Sequence, residues 1–281
     1  IVFPNCKINL GLHILRKRKD GFHDLETVFY PLPLKDILEI IRSPTRPDHD
    51  AQHLPAADSP TFTAYGLQIP GDPADNLCLK AWQLLKADFP LLPPMDIHLY
   101  KHIPIGAGLG GGSADGAFTI LVLDKQFQLQ LTTDQKVSYA ARLGSDCPFF
   151  VLNTPCLGGG RGELLQPIDL DLGRLSIVLV DPGIPISTAQ AFAGCKPNES
   201  HPPLKDIIRQ PVESWKDQLS NDFEEPLFHL HPELRRIKEA LYACGATYAS
   251  LTGSGSGIFA LFHKGEAPPD LPLRGNYRIL Q

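Results

Sequence analysis

Six glycines fall in the eleven positions from Gly106 to Gly116, within the stretch HIPIGAGLGGGSADGAF. Glycine loses more conformational freedom on ordering than any other residue, so such density means that bare backbone must approach something closely. Set between a strand and a helix opening at Ser113, the stretch aims main-chain N–H groups and the positive helix end at one point. That arrangement is an anion cradle. A second pair stands near the start of the chain. In CKINLGLHIL, Lys7 and Asn9 are two residues apart and project side by side, an ammonium next to an amide. A third candidate is Asp146 in GSDCP, held in a turn by Gly144 and Pro148. Alone, Lys7 reads as a solvated strand lysine and Asp146 as a turn former. The sequence singles out no metal-ligating residues: the six cysteines are scattered with no CxxC pair, and HLH at His229–His231 lacks a supporting ligand pattern.

The elements that position these residues follow from periodicity. CKINLGLHIL alternates, with Cys6, Ile8, Leu10, Leu12 and Ile14 on one face and Lys7, Asn9, Gly11 and His13 on the other. It therefore predicts a strand with one buried face. RKRKDGFHD turns through Asp20-Gly21, LETVFY returns as a strand, and KDILEII is a third. Ser43–Phe62 is proline-rich and aperiodic, a long loop. DNLCLKAWQLLKADF predicts a helix capped by Asp75 or Asn76, and MDIHLYKHIP a half-exposed strand entering the glycine stretch. Ser113–Phe127 predicts a helix with Ala114, Ala117, Phe118, Leu121 and Val122 on its inner stripe. A helix capped at Thr132 or Thr133 ends at Gly144, and FFVL is expected to be a buried strand. GGGRG at Gly158–Gly162 marks a bend or the domain seam, and LSIVLVDPG a strand. Cys195–Val212 is a second proline-rich loop, followed by helices over Asn221–Cys244 and a strand–glycine loop–strand in YASLTGSGSGIFALF. Strands and helices mix along the whole chain, so the class is α+β.

The 281 residues carry a net charge of −5, 43% hydrophobic and 20% charged, ordinary for a globular protein of one or two domains. The acidic balance argues against a nucleic-acid or membrane-surface partner, and no apolar run reaches the roughly 18 residues of a membrane helix. Scattered cysteines suit reduced thiols in a reducing compartment.

Two phosphate-binding motifs fit poorly. Gly106-x-Gly108-x-x-Gly111 matches the dinucleotide fingerprint literally, yet the strand before it carries Asp96, His98, Tyr100 and Lys101 rather than a wholly apolar run. A P-loop needs a lysine just before Ser113, and GLGGGS has none, so any cation must come from elsewhere.

PIGAGLGGGSADGA resembles the phosphate-binding motif of the GHMP small-molecule kinases, a family that includes galactokinase, homoserine kinase and mevalonate kinase. The opening segment is similar to that of the members acting on a cytidine diphosphate-linked methylerythritol. It keeps Lys7, Asn9, Leu10, Asp20, Gly21, Phe22, His23 and Thr27, and departs at Cys6, where alanine is usual. DNLCLKA, GSDCPFF, NDFE and LTGSGSGIFALF match further, in the family's order. Ala114 replaces a frequent serine.

The resemblance implies a two-domain GHMP-kinase fold, with an N-terminal ribosomal-S5-like domain over 1–155 and a C-terminal ferredoxin-like domain over 156–281. It implies ATP with Mg²⁺ as cofactors. The phosphates would lie on Pro104, Gly106, Ala107, Gly108, Leu109, Gly110, Gly111, Gly112 and Ser113. It casts Asp146 as the acceptor of the substrate's hydroxyl proton, and Lys7 as the cation that orients Asp146 and offsets charge. Asn9, Phe22, His23, Thr27 and Phe192 become substrate-binding residues, with Phe22 and Phe192 expected to sandwich the cytosine. RKRK at Arg16–Lys19 is expected at a solvated hairpin tip. The implied activity is phosphorylation of a small alcohol in the non-mevalonate isoprenoid route, in the bacterial cytoplasm, or in a plastid if a presequence has been removed. Its rivals are a sibling kinase for homoserine, mevalonate or a sugar, and a non-catalytic sensor on the same fold.

Overall fold

The computed structural model describes residues 1–43, 59–267 and 276–280. The chain begins with strands β1 (Asn5–Lys17), β2 (His23–Lys35), β3 (Ile37–Arg42) and β4 (Thr61–Gly66). Helix α1 (Leu77–Asp88), strand β5 (Met95–Lys101), and helices α2 (Gly111–Phe127), α3 (Thr133–Leu143) and α4 (Cys147–Leu152) follow. Next come β6 (Cys156–Gly159), β7 (Leu164–Pro167), β8 (Leu175–Asp181), and the short helices α5 (Thr188–Ala193), α6 (Leu204–Ile207) and α7 (Trp215–Gln218). The chain closes with α8 (Glu224–Leu230), α9 (Pro232–Ala243), β9 (Tyr248–Leu251), β10 (Ile258–His263) and β11 (Asn276–Leu280). Most of the expected Ser43–Phe62 loop, residues 44–58, lies outside the described residues. Its last two residues open β4.

Packing groups the chain into two compact units of three segments each: 1–6, 34–105 and 110–153 in the first, 7–33, 106–109 and 154–281 in the second. The sequence reading of 1–155 and 156–281 is a cut in chain order, while packing draws Lys7–Pro33 and Gly106–Leu109 into the second unit.

In the first unit β5 is the central strand, antiparallel to β3 and parallel to β4. Asn76 caps α1, its side chain accepting from the Cys78 N–H at 2.9 Å. Thr132 and Gln135 form a reciprocal capping box at the start of α3. The inner stripe of α2 is rotated from expectation. Ala114 and Ala117 are buried as predicted, but Phe118, Leu121 and Val122 are only half-buried, and Asp115, Thr119, Ile120 and Leu123 take the inner face. FFVL is not a strand but the body of α4. A four-residue apolar run has no decisive period, and Pro148 in the first helical turn pre-sets helical φ there.

In the second unit one sheet runs β1-β2-β6-β7 and the other β11-β8-β10-β9. Helices α8 and α9 supply Leu227, Phe228, Leu234, Ile237 and Leu241 to a core shared with Leu12, Ile14, Val178, Val180 and Phe262. Strand β1 differs from the half-buried strand expected, because its polar face is covered too. A Cβ on Gly11 would lie 2.6 Å from Leu219 and 2.8 Å from Leu204, and the His13 ring stacks on His201 at 4.0 Å. The segment read as a proline-rich loop thus contains α6 and roofs the chemically interesting face of β1. His13 is buried beneath this cover, and Lys7 and Asn9 are buried farther along the same face against Gly108, Thr27 and Thr252.

Candidate active site

Lys7 and Asn9, neighbours on one face of β1, are held in the second unit by hydrogen bonds that leave little freedom. The Lys7 ammonium donates to Asn9 Oδ1 at 2.5 Å and to the Gly108 carbonyl at 2.9 Å. Thr27, on the paired strand β2, orients the amide. Its hydroxyl donates to the Gly11 carbonyl at 2.7 Å and accepts from Asn9 Nδ2 at 2.8 Å. A hydroxyl has one proton, and with that proton spent on Gly11 it can only accept from Asn9, so Asn9 Oδ1 faces the ammonium. The Asn9 N–H donates to Thr252 Oγ1 at 3.1 Å, and the Thr252 hydroxyl lies 3.3 Å from the Gly108 carbonyl.

The segment 106–109 is seated on the turn after β9. The Lys7 N–H donates to Leu109 O and the Gly257 N–H to Ala107 O. Gly108 has φ +71°, and a Cβ there would stand 2.0 Å from the Thr252 carbonyl oxygen, so only glycine fits. Ala107 and Leu109 are buried, whereas Gly106 faces outward with nothing within 4 Å of a would-be Cβ. Asn221, at the end of the segment leading to α8, donates to both Leu251 O and Gly253 O at 3.0 Å and holds this turn.

In the first unit, Gly110 takes a left-handed conformation as N-cap of α2 and provides no side-chain cap. The contrast with Asn76 and Thr132 matters. Those helices close their N-termini with their own side chains, while α2 leaves its first N–H groups to a ligand or solvent. Gly112 is exposed in open space, and Pro104 is half-buried on the way in. Ser113 lies beside Cys147, whose thiol pKa burial pushes up to about 12. Cys147 follows Asp146, which occupies the N-cap position of α4 with its side chain not engaged in capping. The half-buried Asp146 carboxylate therefore belongs to the same neighbourhood as the first turn of α2.

The aromatic residues pair differently from expectation. Phe192, in α5, stacks on His23 with ring centroids 4.7 Å apart and 13° between planes, and meets Phe223 edge-on. Phe22 is half-exposed, and the Arg161 guanidinium lies 4.8 Å from its ring centroid. Each ring of the expected Phe22–Phe192 sandwich thus has a protein partner of its own, because the β6–β7 turn carries Arg161 over Phe22 while α5 delivers Phe192 to His23. Partial burial, with the Lys17 charge nearby, lowers the His23 pKa. Arg16 and Arg18, expected to be merely solvated, grip Asp24 at 2.6 and 2.9 Å and brace the hairpin.

Sequence reasoning assigned no role to Asn221 and missed the buried group Lys101–Asp36–Asp115 in the first unit. The signal for Lys101 was present. It shares the parity of Met95, Ile97 and Leu99, the inner face of β5. Among the described residues no helix is long and apolar enough to cross a membrane.

Comparison with known proteins places these features in a family. Residues 76–154 match the GHMP kinases N terminal domain, and residues 203–270 match the GHMP kinases C terminal domain. A 4-diphosphocytidyl-2-C-methyl-D-erythritol kinase of Bacteroides thetaiotaomicron is 48% identical over 262 residues, covering 93% of this chain and 92% of that protein. The enzyme of that name from Azobacteroides pseudotrichonymphae is 46% identical over 272 residues, 95% of each chain. A crystal structure of 4-(cytidine 5'-diphospho)-2C-methyl-D-erythritol kinase superposes with a TM-score of 0.80 at 29% identity, covering 99% of this chain and 97% of that one. A mevalonate kinase from L. major, at TM-score 0.67 and 16% identity over 94% of this chain and 87% of that one, shares the fold.

Proposed function

The chain belongs to the 4-diphosphocytidyl-2-C-methyl-D-erythritol kinases, a branch of the GHMP kinases, and from that premise we propose how its own residues carry the reaction. The γ-phosphoryl group of ATP passes to the 2-hydroxyl of 4-diphosphocytidyl-2-C-methyl-D-erythritol, a step toward isoprenoid precursors. The alcohol oxygen forms the new bond to phosphorus, the bond from phosphorus to the β-phosphate oxygen breaks, and ADP leaves. Such transfer is mostly positioning and charge stabilisation. The uncapped start of α2 and the bare amides around Gly106 and Gly112 receive the phosphates. An alcohol ionises far above neutral pH, so its proton needs an acceptor, and Asp146 takes it. Lys7, held by Asn9 and Gly108, offsets charge around the hydroxyl. Phe22, His23 and Phe192 present ring faces suited to a flat base.

Mg²⁺ fits a site of this kind when carried by the nucleotide. Among the described residues no three His, Cys, Asp or Glu side chains gather to cage an ion, and Mg²⁺ is commonly held through substrate phosphates with few protein ligands. Ser113, in the first turn of α2, would hold such an ion, and the metal would supply charge neutralisation on the phosphates.

The observation that carries the reading is the Lys7–Asn9–Thr27 chain locked onto the Gly108 carbonyl, which joins the one buried ammonium of β1 to the glycine stretch. ADP release measured against a panel of alcohols tests it. Turnover with the cytidine diphosphate-linked methylerythritol, and background rates with homoserine, mevalonate and galactose, are expected. Turnover with one of the latter alone, or binding of both substrates without ADP, overturns it.

A further inference from the structure

The first unit holds a buried ion group that the mechanism above does not use. Lys101, the last residue of β5, is 3% exposed, and Asp36 and Asp115 are equally shut from solvent. The ammonium lies 2.5 Å from Asp36 Oδ2 and 2.7 Å from Asp115 Oδ2. The second oxygen of Asp36 accepts the N–H groups of His102 and Ile103 at 2.6 and 2.8 Å. Asp36 therefore fixes the chain as it runs into the glycine stretch, and Asp115 belongs to the helix that leaves it, one turn inside Gly111.

We propose that Lys101, bridging Asp36 and Asp115, is a positioning residue for ATP that sets the distance between the entry and the exit of the glycine-rich stretch. One ammonium ties both ends. It also explains Gly111, where a Cβ would stand 2.9 Å from Lys101 Nζ. Packing needs alone do not account for the group. Buried ion groups often contribute no more stability than apolar residues of similar volume. A cation beneath a helix N-terminus is opposed by the helix dipole. Asp115 Oδ1 is buried without a hydrogen-bond partner, a cost of about 1–3 kcal/mol in general. What the arrangement secures is geometry at the place where the phosphates bind, so the inference rests on the ATP-site reading above.

Steady-state kinetics of Lys101→Met, Lys101→Arg and Asp115→Asn test it, with circular dichroism to establish folding. Lys101→Met is expected to raise KM for ATP at least tenfold while KM for the cytidylyl substrate stays within twofold, and Lys101→Arg to recover part of the loss. If Lys101→Met fails to fold, Asp115→Asn, which preserves size, carries the test with a several-fold rise in KM for ATP alone. An unchanged KM for ATP, or equal rises in both KM values, overturns the proposal. Failure of the wild type to form ADP overturns the ATP-site reading instead, so the two outcomes are separable.

Discussion

Thr27 decides which way the Asn9 amide points, and through it where the Lys7 ammonium rests. Thr27→Val keeps the shape but removes the hydroxyl, leaving the Gly11 carbonyl without its donor and Asn9 Nδ2 without its acceptor. Such a loss should cost about 1–3 kcal/mol, read from urea unfolding, and kcat should fall as the ammonium loses its fixed neighbour. A drop in stability with kcat unchanged would separate the amide's orientation from catalysis. Asp146 makes a sharper case, because it stands at the N-cap position of α4 without a side-chain capping bond. Asp146→Asn should lower kcat by at least ~10², the lower range for a positioned base, while ATP affinity measured by titration stays near wild type. An undiminished kcat would remove Asp146 from the chemistry. At Phe22, with Arg161 across its ring, alanine should raise KM for the cytidylyl substrate more than KM for ATP. The reverse ranking would place the base elsewhere.

Within the glycine stretch the residues divide into those that packing demands and those that only a ligand explains. Gly108 has no room for a Cβ against Thr252, and Gly111 none beside Lys101, whereas Gly112 has open space around it at the exposed start of α2. Gly112→Ala should therefore leave the ligand-free protein as stable or slightly more so, since alanine favours a helix over glycine by roughly 0.8–1 kcal/mol. It should nevertheless raise KM for ATP, because the added methyl occupies phosphate space. If thermal unfolding and KM both stay at wild-type values, Gly112 does not face the nucleotide. The division was not legible in the sequence, where all six glycines look alike. What was legible rests on local rules: the alternation of β1, the caps Asn76 and Thr132, the stop at Gly144 and the bend after Gly158 each follow from neighbouring residues. The departures share a cause. The polar face of β1 is roofed by residues nearly two hundred positions later. Likewise α2 turns Asp115 inward because Lys101 awaits it, and Arg161 arrives over Phe22 on another hairpin. Long-range partners leave no trace in a local period. Helix α4, with six residues, had too few to declare itself.

Across the molecule, the two compact units carry buried titrating groups of opposite sign in their response to acid. In the second unit, burial and then the adjacent His201 hold the His13 pKa down to about 4, against an ordinary 6.5. Below pH 6.5 the unfolded chain takes up a proton there that the folded chain refuses, so the stability His13 contributes is present above 6.5 and lost as pH falls toward 4. In the first unit, burial pushes the Asp115 carboxyl up to about 7 from 3.8, against the opposing pull of Lys101. Its contribution is full below 3.8 and is lost as pH rises from there through 7. Acidification from pH 7 to 4.5 should thus weaken the second unit relative to the first. Amide hydrogen exchange, corrected for the intrinsic pH dependence of exchange, should show protection falling in β8, β10 and α9 more than in α1 and α2. His13→Gln retains a polar atom for Ser220 but cannot take up a proton in this range, and it should abolish most of that difference. Equal loss of protection in both units, unaltered by His13→Gln, would mean that other carboxylates govern the acid response and that the His13–His201 stack is not where the second unit yields first.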